Sequence, residues 1–468
     1  VAAIFPKSVA NSRRRPITHH YHMSIQGNAS MATTGNPPPA SSPPAWILLD
    51  SQVSISDVPR RNESTAMAAR KNGRAMEVSI RPARPPNPSR LHIHCPNLEP
   101  GSEIFVQEPR IVSTAGGLVL LRIGVGCPPT TRSFSFSSRS AGIRRELTDY
   151  FVYRLAAGGG LPSLTRLPKP PTRFFQNYEV ALLPRGDHFT VAALSAARTG
   201  GEFELHLFKS EDWTWDTELV VLLREPATVP EHVCELHITS TVITVGGERG
   251  TVGWVDLWRG ILLCDLLAEN RNLRYVPMPR CRKNHKDKRM ECCPRPYRDI
   301  AVVEGSLKLV DLEIHGDRLP ENDPETEGPN FRFDDWTLTT YTKSKSETSD
   351  SWPDDWVTDS TVKASEIEIK ETVRSVLLRC GRFCKPNNGE AAERKLQNLH
   401  TCQPVLGLDD DTGIVYLLTR LKFVHPHAWI LAVDMRNKCV QAMVKIATER
   451  SKDLLLAYCA STIVHECD

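Results

Sequence analysis

The sequence predicts an all-β protein, a β-propeller-like body of repeated antiparallel meanders with a disordered amino-terminal leader. Three observations predict it. Strand-like patterns dominate from Trp46 onward, one glycine-led strand pattern recurs along the chain, and residues 31–45 are rich in Pro and Ser. A pair of β-sandwiches is the alternative architecture that these patterns leave open. We place the β body over residues 46–446.

The recurring pattern is Gly-x-apolar-x-apolar-apolar. Its copies begin at Gly116, Gly250, Gly305 and Gly413, and they are 134, 55 and 108 residues apart. Because the last spacing is nearly twice the middle one, we expect a degenerate copy between Gly305 and Gly413. Units of about 40–55 residues are typical of propeller blades, which must stack because a single blade cannot bury both of its faces.

Further strands are predicted after each glycine-led strand. The segments that follow cover residues 149–155, 202–210, 260–267 and 428–435. Two of them precede a third matching strip, at 164–170 and 273–279, each of which ends in prolines. Proline is tolerated at a sheet edge, where no ladder hydrogen bond is lost, so these strips are predicted to be edge strands.

The remaining segments are predicted to lie outside the meanders. Residues 316–330 and 343–361 are polar and are expected to be solvated insertions. We expect a short helix near 370–380 and a short helix or tail over 447–468. Residues 1–45 form the predicted leader, within which Met31 is a plausible start; residues 1–30 would then not be translated.

The composition is that of an ordinary globular protein, with 40% hydrophobic and 24% charged residues. A net charge of +3, from 58 basic and 55 acidic residues, gives no field that would favour nucleic acid or membrane partners. The 13 cysteines are an odd, scattered set without a signal peptide before them, so we expect free thiols and a location in the cytoplasm, the nucleus or both. An organelle transit peptide is the less favoured alternative.

Residues 250–267 form the densest patch in the chain. Val252 and Trp254 are predicted to face one side of a strand and Val255 the other, so the strand is expected to be buried on both faces. Asp256 and Arg259 have the chemistry of a hairpin turn. Only Asp256 and Trp258, at the rim, are left as candidate binding residues here.

The chain resembles the plant family known as domain of unknown function 1618, which is abundant in grasses. The stretches that carry the resemblance are "GWVDLWRGILLCDLL", "LRYVPMP" and "YRDIAVVEGSLKLVDLE", within 250–313, together with "VSTAGGLVLLR" and "AWILAVDMRNK". The family pattern is expected to be densest over 250–405. The resemblance implies a plant protein whose propeller-like body is similar in outline to F-box-associated domains, and it implies no catalytic residues.

Metal and cofactor sites are not predicted. Cys281, His285, Cys292 and Cys293 contain no C-x2–4-C pair. Cys380 and Cys384 form one pair of acceptable spacing, but His400 and Cys402 do not supply a matching second pair. The basic loop that contains the first set is predicted to be solvated.

The sequence favours a non-enzymatic protein-interaction module with unidentified protein partners. Trp336, Trp352 and Trp356 lie in acidic, polar surroundings, and exposed aromatic side chains there would mark a binding surface. Asp311, which matches Asp256 in the repeat, completes the candidate binding set. One alternative is a hydrolase-like enzyme that uses acids in a central pocket, for which the repeat offers the matching positions Arg122, Asp256, Asp311 and Thr419. The other is a substrate receptor of a ubiquitin ligase.

Overall fold

The computed structural model describes residues 44–70, 73–96, 104–126, 148–155, 160–170, 175–197, 202–223, 237–279, 292–345, 352, 355–381, 395–409, 411–423, 425, 427–446 and 458–462. The predicted leader therefore lies almost wholly outside the described residues, as do Cys281 and His285. Nearly all of the described secondary structure is β-strand.

The described strands form six blades, numbered here in chain order. Blade 1 contains β1 (Ile47–Asp50), β2 (Ser54–Ile55), β3 (Ala66–Ala69), β4 (Ala75–Arg81) and β5 (Arg90–His94). Blade 2 contains β6 (Ile104–Ala115), β7 (Leu118–Gly126), β8 (Thr148–Arg154) and β9 (Ser163–Arg166). Blade 3 contains β10 (Val180–Arg185), β11 (His188–Ala196), β12 (Glu202–Lys209) and β13 (Thr214–Val221).

The second half of the chain supplies the other three blades. Blade 4 contains β14 (Thr241–Gly246), β15 (Thr251–Asp256), β16 (Gly260–Asp265) and β17 (Arg274–Pro277). Blade 5 contains β18 (Arg298–Val303), β19 (Ser306–Asn322), β20 (Pro329–Lys343) and β21 (Val357–Lys363). Blade 6 contains β22 (Glu368–Ile369), β23 (His400–Leu406), β24 (Ile414–Arg420), β25 (Ala428–Asp434) and β26 (Cys439–Lys445), with helix α1 (Glu371–Gly381) between β22 and β23. A last strand, β27 (Tyr458–Ser461), follows.

Blades 2 to 5 are antiparallel meanders whose strands lie in chain order across each sheet. In blade 6 the order is β22-β26-β25-β24-β23, with β22 parallel to β26. One edge strand of each blade from 2 to 6 contacts that of its neighbour, β6 with β10, β10 with β14, β14 with β18 and β18 with β23. These strands therefore surround the axis of the ring, and the opposite edge strand of each sheet lies at the outer rim.

A hydrophobic core lies between each pair of neighbouring blades. On β7, Val119 and Leu121 pack towards blade 1, whereas Leu118 and Leu120 pack towards blade 3. Further cores join blades 3 and 4, 4 and 5, 5 and 6, and finally 6 and 1. Six interfaces between six blades close the ring, which confirms the propeller-like fold and excludes the pair of sandwiches for the described residues.

The ring is closed by the two ends of the β body. β27 pairs antiparallel with β1, from Ile47 opposite Ser461 to Asp50 opposite Tyr458. β1 in turn exchanges hydrogen bonds with Ser89 at the start of β5, so β27 is the innermost strand of blade 1. Residues 458–461 thus form a strand, not the predicted helix or tail, and the folded body extends beyond residue 446.

The glycine-led pattern marks the second strand of a blade and not the strand that opens it. The glycines directly before β7, β15, β19 and β24 have φ angles of 76°, 60°, 74° and 55°, a left-handed conformation that closes the preceding turn. The predicted following segments are the third strands β8, β12, β16 and β25, and the proline strips are the outer strands β9 and β17.

The degenerate copy, however, lies elsewhere than predicted. The described part of the interval between Gly305 and Gly413 holds no additional blade; the long strands β19 and β20, β21 and α1 take up its length. The missing second strand is β11, which lies between the first two copies and follows a two-residue turn with Gly186 at its first position. The polar segment 316–330 is likewise an extension of the β19–β20 hairpin, not an irregular loop. Helix α1 confirms the helix predicted near 370–380.

Strand β15 confirms the interpretation of residues 250–267. Val252 and Trp254 lie in the core between blades 3 and 4, and Val255 lies in the core between blades 4 and 5. A Cβ on Gly253 would come within 2.8 Å of Ile261 Cγ2, so glycine permits the close approach of the neighbouring strand. The patch is the interior of one blade.

Candidate functional site

Both oxygens of the Asp256 carboxylate accept hydrogen bonds from its own turn and from the segment before β14. Its Oδ1 accepts hydrogen bonds from the backbone N–H groups of Trp258 (2.9 Å) and Arg259 (3.2 Å). Its Oδ2 accepts from the N–H of Ile238 (3.0 Å) and from the Arg259 guanidinium (3.0 Å). Asp256 is buried, so these bonds hold the β15–β16 turn rather than leave an acid free for chemistry.

A buried charge pair joins this turn to blade 5. The Arg298 guanidinium donates to Asp311 Oδ2 at 2.8 Å and to the carbonyl oxygen of Leu257 at 3.0 Å. It also lies 5.3 Å from the ring centroid of Trp258, whose indole N–H donates to the carbonyl oxygen of Cys292 at 2.8 Å. The structure therefore brings Asp256, Trp258 and Asp311 together, as parts of one structural network.

The acid pair that a hydrolase would require is not supported by this arrangement. Asp256 bonds to its turn, and Asp311 is paired with Arg298. Counted from the glycine that precedes each second strand, the position in blade 2 that matches Asp256 is Ile123, not Arg122. Because Ile123 is buried and apolar, blade 2 adds no polar group at this position.

The three other candidate tryptophans lie away from this network. Trp336 is fully buried in the core between blades 5 and 6, which leaves it no surface to offer a partner. Trp352 and Trp356 are partly buried against the core between blades 4 and 5. Their rings lie beneath Lys345 and Lys343, and Trp356 donates to the carbonyl oxygen of Pro277 at 2.8 Å. Both side chains anchor their segment to the blade edge.

Asp299, the residue after Arg298, carries a perturbed carboxyl group. Its Oδ2 accepts a hydrogen bond from the backbone N–H of Leu406 (3.1 Å), which links β18 to β23 beside the axis. Burial raises the pKa of Asp299 from 3.8 to about 6, although the Leu406 N–H and nearby Arg295 partly oppose the increase.

Asp299→Asn is expected to stabilise the fold above pH 6, by about 1–3 kcal/mol. The native state holds the Asp299 proton more tightly than the unfolded state, so the wild type loses stability through this group as the pH rises from about 4 to about 6. Asparagine keeps the acceptor for Leu406 but does not titrate. Urea unfolding from pH 4 to 8 measures the difference between the two proteins; an unchanged difference across this range would contradict the pKa shift.

An exposed apolar surface, which the sequence did not indicate, lies on the rim of blade 3. Leu219, Val221 and Leu223 are 64%, 46% and 48% exposed, and they follow one another along a single face of β13 and its extension. The alternating residues Val220 and Leu222 are buried in the core between blades 3 and 4. We call the three exposed side chains the blade-3 stripe.

The stripe has acidic neighbours. Glu204 lies opposite Leu219, and Glu202 lies opposite Val221, on the adjacent strand β12. His206 is buried, hydrogen bonds to Thr217 (Nδ1–Oγ1, 2.9 Å), and has a pKa lowered by burial, so it is uncharged at neutral pH. It therefore does not neutralise Glu204, although the two side chains are 3.8 Å apart.

Part of the second half of the ring matches a known protein family. Residues 254–416 match the family described as Protein of unknown function (DUF1618). The DUF1618 match runs from β15 to β24, and it therefore includes the whole Arg298–Asp311 network but neither the blade-3 stripe nor the closing strand. No curated protein matches the chain.

Solved structures with similarity to the chain share little of its sequence. The WD40 domain of SCAP from fission yeast is 8% identical, with 84% of this chain and 78% of that chain covered and a TM-score of 0.30. A Trypanosoma rangeli sialidase in complex with the inhibitor DANA is 12% identical, with 86% of this chain and 53% of that chain covered and a TM-score of 0.28.

Among the described residues, no three His, Cys, Asp or Glu side chains come together so that they could hold a metal ion. None of the described helices combines the length and hydropathy that a membrane span requires.

Proposed function

We propose that this chain is a non-enzymatic protein-interaction module and that the blade-3 stripe is its binding surface. The observation that carries the proposal is the exposure of Leu219, Val221 and Leu223 on a strand whose other face is anchored in a core. Apolar groups that remain exposed together on a rigid surface are typical of sites that a partner covers.

The enzymatic alternative is less well supported, because Asp256 and Asp311 are used in structural bonds. A substrate receptor of a ubiquitin ligase is a special case of the interaction module, and it fits the resemblance to F-box-associated domains. We further propose a plant, and specifically grass, origin, a location in the cytoplasm or nucleus, and partners that are proteins rather than nucleic acids or membranes.

Capture of partners by matched variants tests the proposal. The full chain, the double variant Leu219→Lys/Val221→Lys and the control Val357→Lys are immobilised and exposed to grass tissue extract, and the retained proteins are identified by mass spectrometry. Val357 is a valine on the outer strand β21 that is 66% exposed, so its substitution places a lysine on the rim at a distance from the stripe. We expect that the wild type and the control retain a common set of proteins and that the stripe variant fails to retain them. If all three retain the same proteins, the stripe is not the binding surface.

A further inference from the structure

We propose that the outer edge of blade 3 accepts an extended partner segment as an additional β-strand, and that this segment alternates aliphatic and basic side chains. The inference rests on the proposed function, and it specifies the chemistry of the partner and its mode of binding.

The backbone of β13 already accepts a strand at one end. The N–H of Leu223 donates to the carbonyl oxygen of Leu273, and the N–H of Leu273 donates to the carbonyl oxygen of Val221, both at 2.9 Å. Leu273 belongs to blade 4, so the polar groups of Val221 and Leu223 point away from β12 and out of the blade. In an antiparallel strand, the backbone N–H and C=O groups of every second residue point to the same side. The backbone groups of Thr217 and Leu219 therefore also point out of the blade.

The rest of this edge is open. Among the described residues, no backbone hydrogen bond joins Thr217 or Leu219 to a residue outside blade 3. An unpaired edge with exposed aliphatic side chains is the arrangement to which an extended segment adds, with main-chain hydrogen bonds supplying affinity and alternate side chains supplying specificity.

The two faces beside this edge differ in chemistry. Side chains of an added strand that lie on the stripe side would lie beside Leu219, with Val221 at the end next to Leu273, which favours aliphatic residues there. Those on the opposite face would meet Asp216 and Glu218, because successive side chains of a strand point to opposite faces. Asp216 is exposed, and Glu218 is partly exposed beside its partner Arg271.

The charge around the edge also favours a basic segment. Four carboxylates lie on β12 and β13 near the stripe: Glu202, Glu204, Asp216 and Glu218. Among the described residues, Arg271 pairs with Glu218, and His206 beside Glu204 is neutral because burial lowers its pKa. The local excess of negative charge therefore attracts lysine or arginine and repels acidic segments.

The test uses two synthetic eight-residue peptides, one alternating valine and lysine and one alternating valine and glutamate. Fluorescence anisotropy measures the binding of each labelled peptide to the full chain. We expect the valine–lysine peptide to bind, and Leu219→Lys/Val221→Lys to weaken it roughly tenfold or more, with Val357→Lys unchanged. Equal binding of the valine–glutamate peptide, or equal binding to the stripe variant, would overturn the inference.

A second variant separates strand addition from side-chain contact. Leu219→Pro removes a backbone donor that points outward, so the ladder with β12 keeps its hydrogen bonds. Cooperative thermal unfolding of the variant shows that it is folded. The folded Leu219→Pro variant is expected not to bind the valine–lysine peptide, whereas Leu219→Ala is expected to bind it with an affinity close to that of the wild type. Equal affinity of the two variants would contradict strand addition. If neither peptide binds but partners are still captured through the stripe, the interaction function stands and the partner chemistry proposed here is wrong.

Discussion

A chain that ends at Ala457 is expected to lose the cooperative unfolding transition that a chain ending at Ser461 keeps. The shorter chain lacks β27, and with it the four residue pairs that join β27 to β1. It also lacks Tyr458, which packs with Leu48 in the core between blades 6 and 1. Loss of one buried aromatic side chain costs about 3–5 kcal/mol, and the lost ladder adds to this. The sum is comparable to the whole stability of an ordinary domain.

The two truncations form a matched pair, because they differ only in the four residues of β27. Circular dichroism and urea unfolding of both proteins measure the effect. We expect a broad, non-cooperative transition or an insoluble product for the chain that ends at Ala457. A sharp transition with an unchanged midpoint would show that the ring does not depend on the closing strand.

Arg298→Ala is expected to lower the free energy of unfolding by about 3–5 kcal/mol, since it leaves the Asp311 carboxylate buried without its cation. The Arg298 side chain is fully buried, and that of Asp311 is 10% exposed. The substitution also removes the donor to the carbonyl oxygen of Leu257 and the contact with the Trp258 ring. Urea unfolding at pH 7 measures the loss.

Two further variants show whether the loss comes from the uncompensated charge. Arg298→Met combined with Asp311→Leu removes both charges and is expected to recover a large part of the stability. Arg332→Ala removes an arginine from the exposed pair with Asp317, and its expected cost is below about 1 kcal/mol. If Arg298→Ala and Arg332→Ala lower the free energy of unfolding equally, burial of the charge pair does not determine its contribution to stability.

The propeller-like fold could be predicted because a glycine precedes the second strand in four of the blades. The glycines before β7, β15, β19 and β24 are required by their turns, so the repeat is visible without any knowledge of tertiary contacts. Blade 3 escaped this pattern because its turn places glycine one residue earlier, at Gly186. The number of blades could therefore not be counted from the spacing of the copies.

The candidate site was predictable only where its chemistry is local. Asp256 bonds to residues two and three positions away, and the sequence indicated that turn. Arg298 could not be identified, because its contacts depend on how blades 4 and 5 pack. The run from Leu219 to Leu223 has the composition of a buried strand, so sequence alone cannot show that alternate residues are exposed at the rim. Cys459 lies beside Leu49, 410 residues earlier, a proximity that no local pattern encodes.

The closing strand also sets when this protein can fold. Ile47 pairs with Ser461, which is 414 residues later in the chain. The ribosome must therefore add 414 residues after Ile47 before its partner exists. At about 5–20 residues per second, this delay is about 20–80 s. For most of that time the face of blade 1 that later packs against blade 6 has no partner, because blade 6 is the last blade to be synthesised. The ring can therefore close only when synthesis of the chain is almost finished.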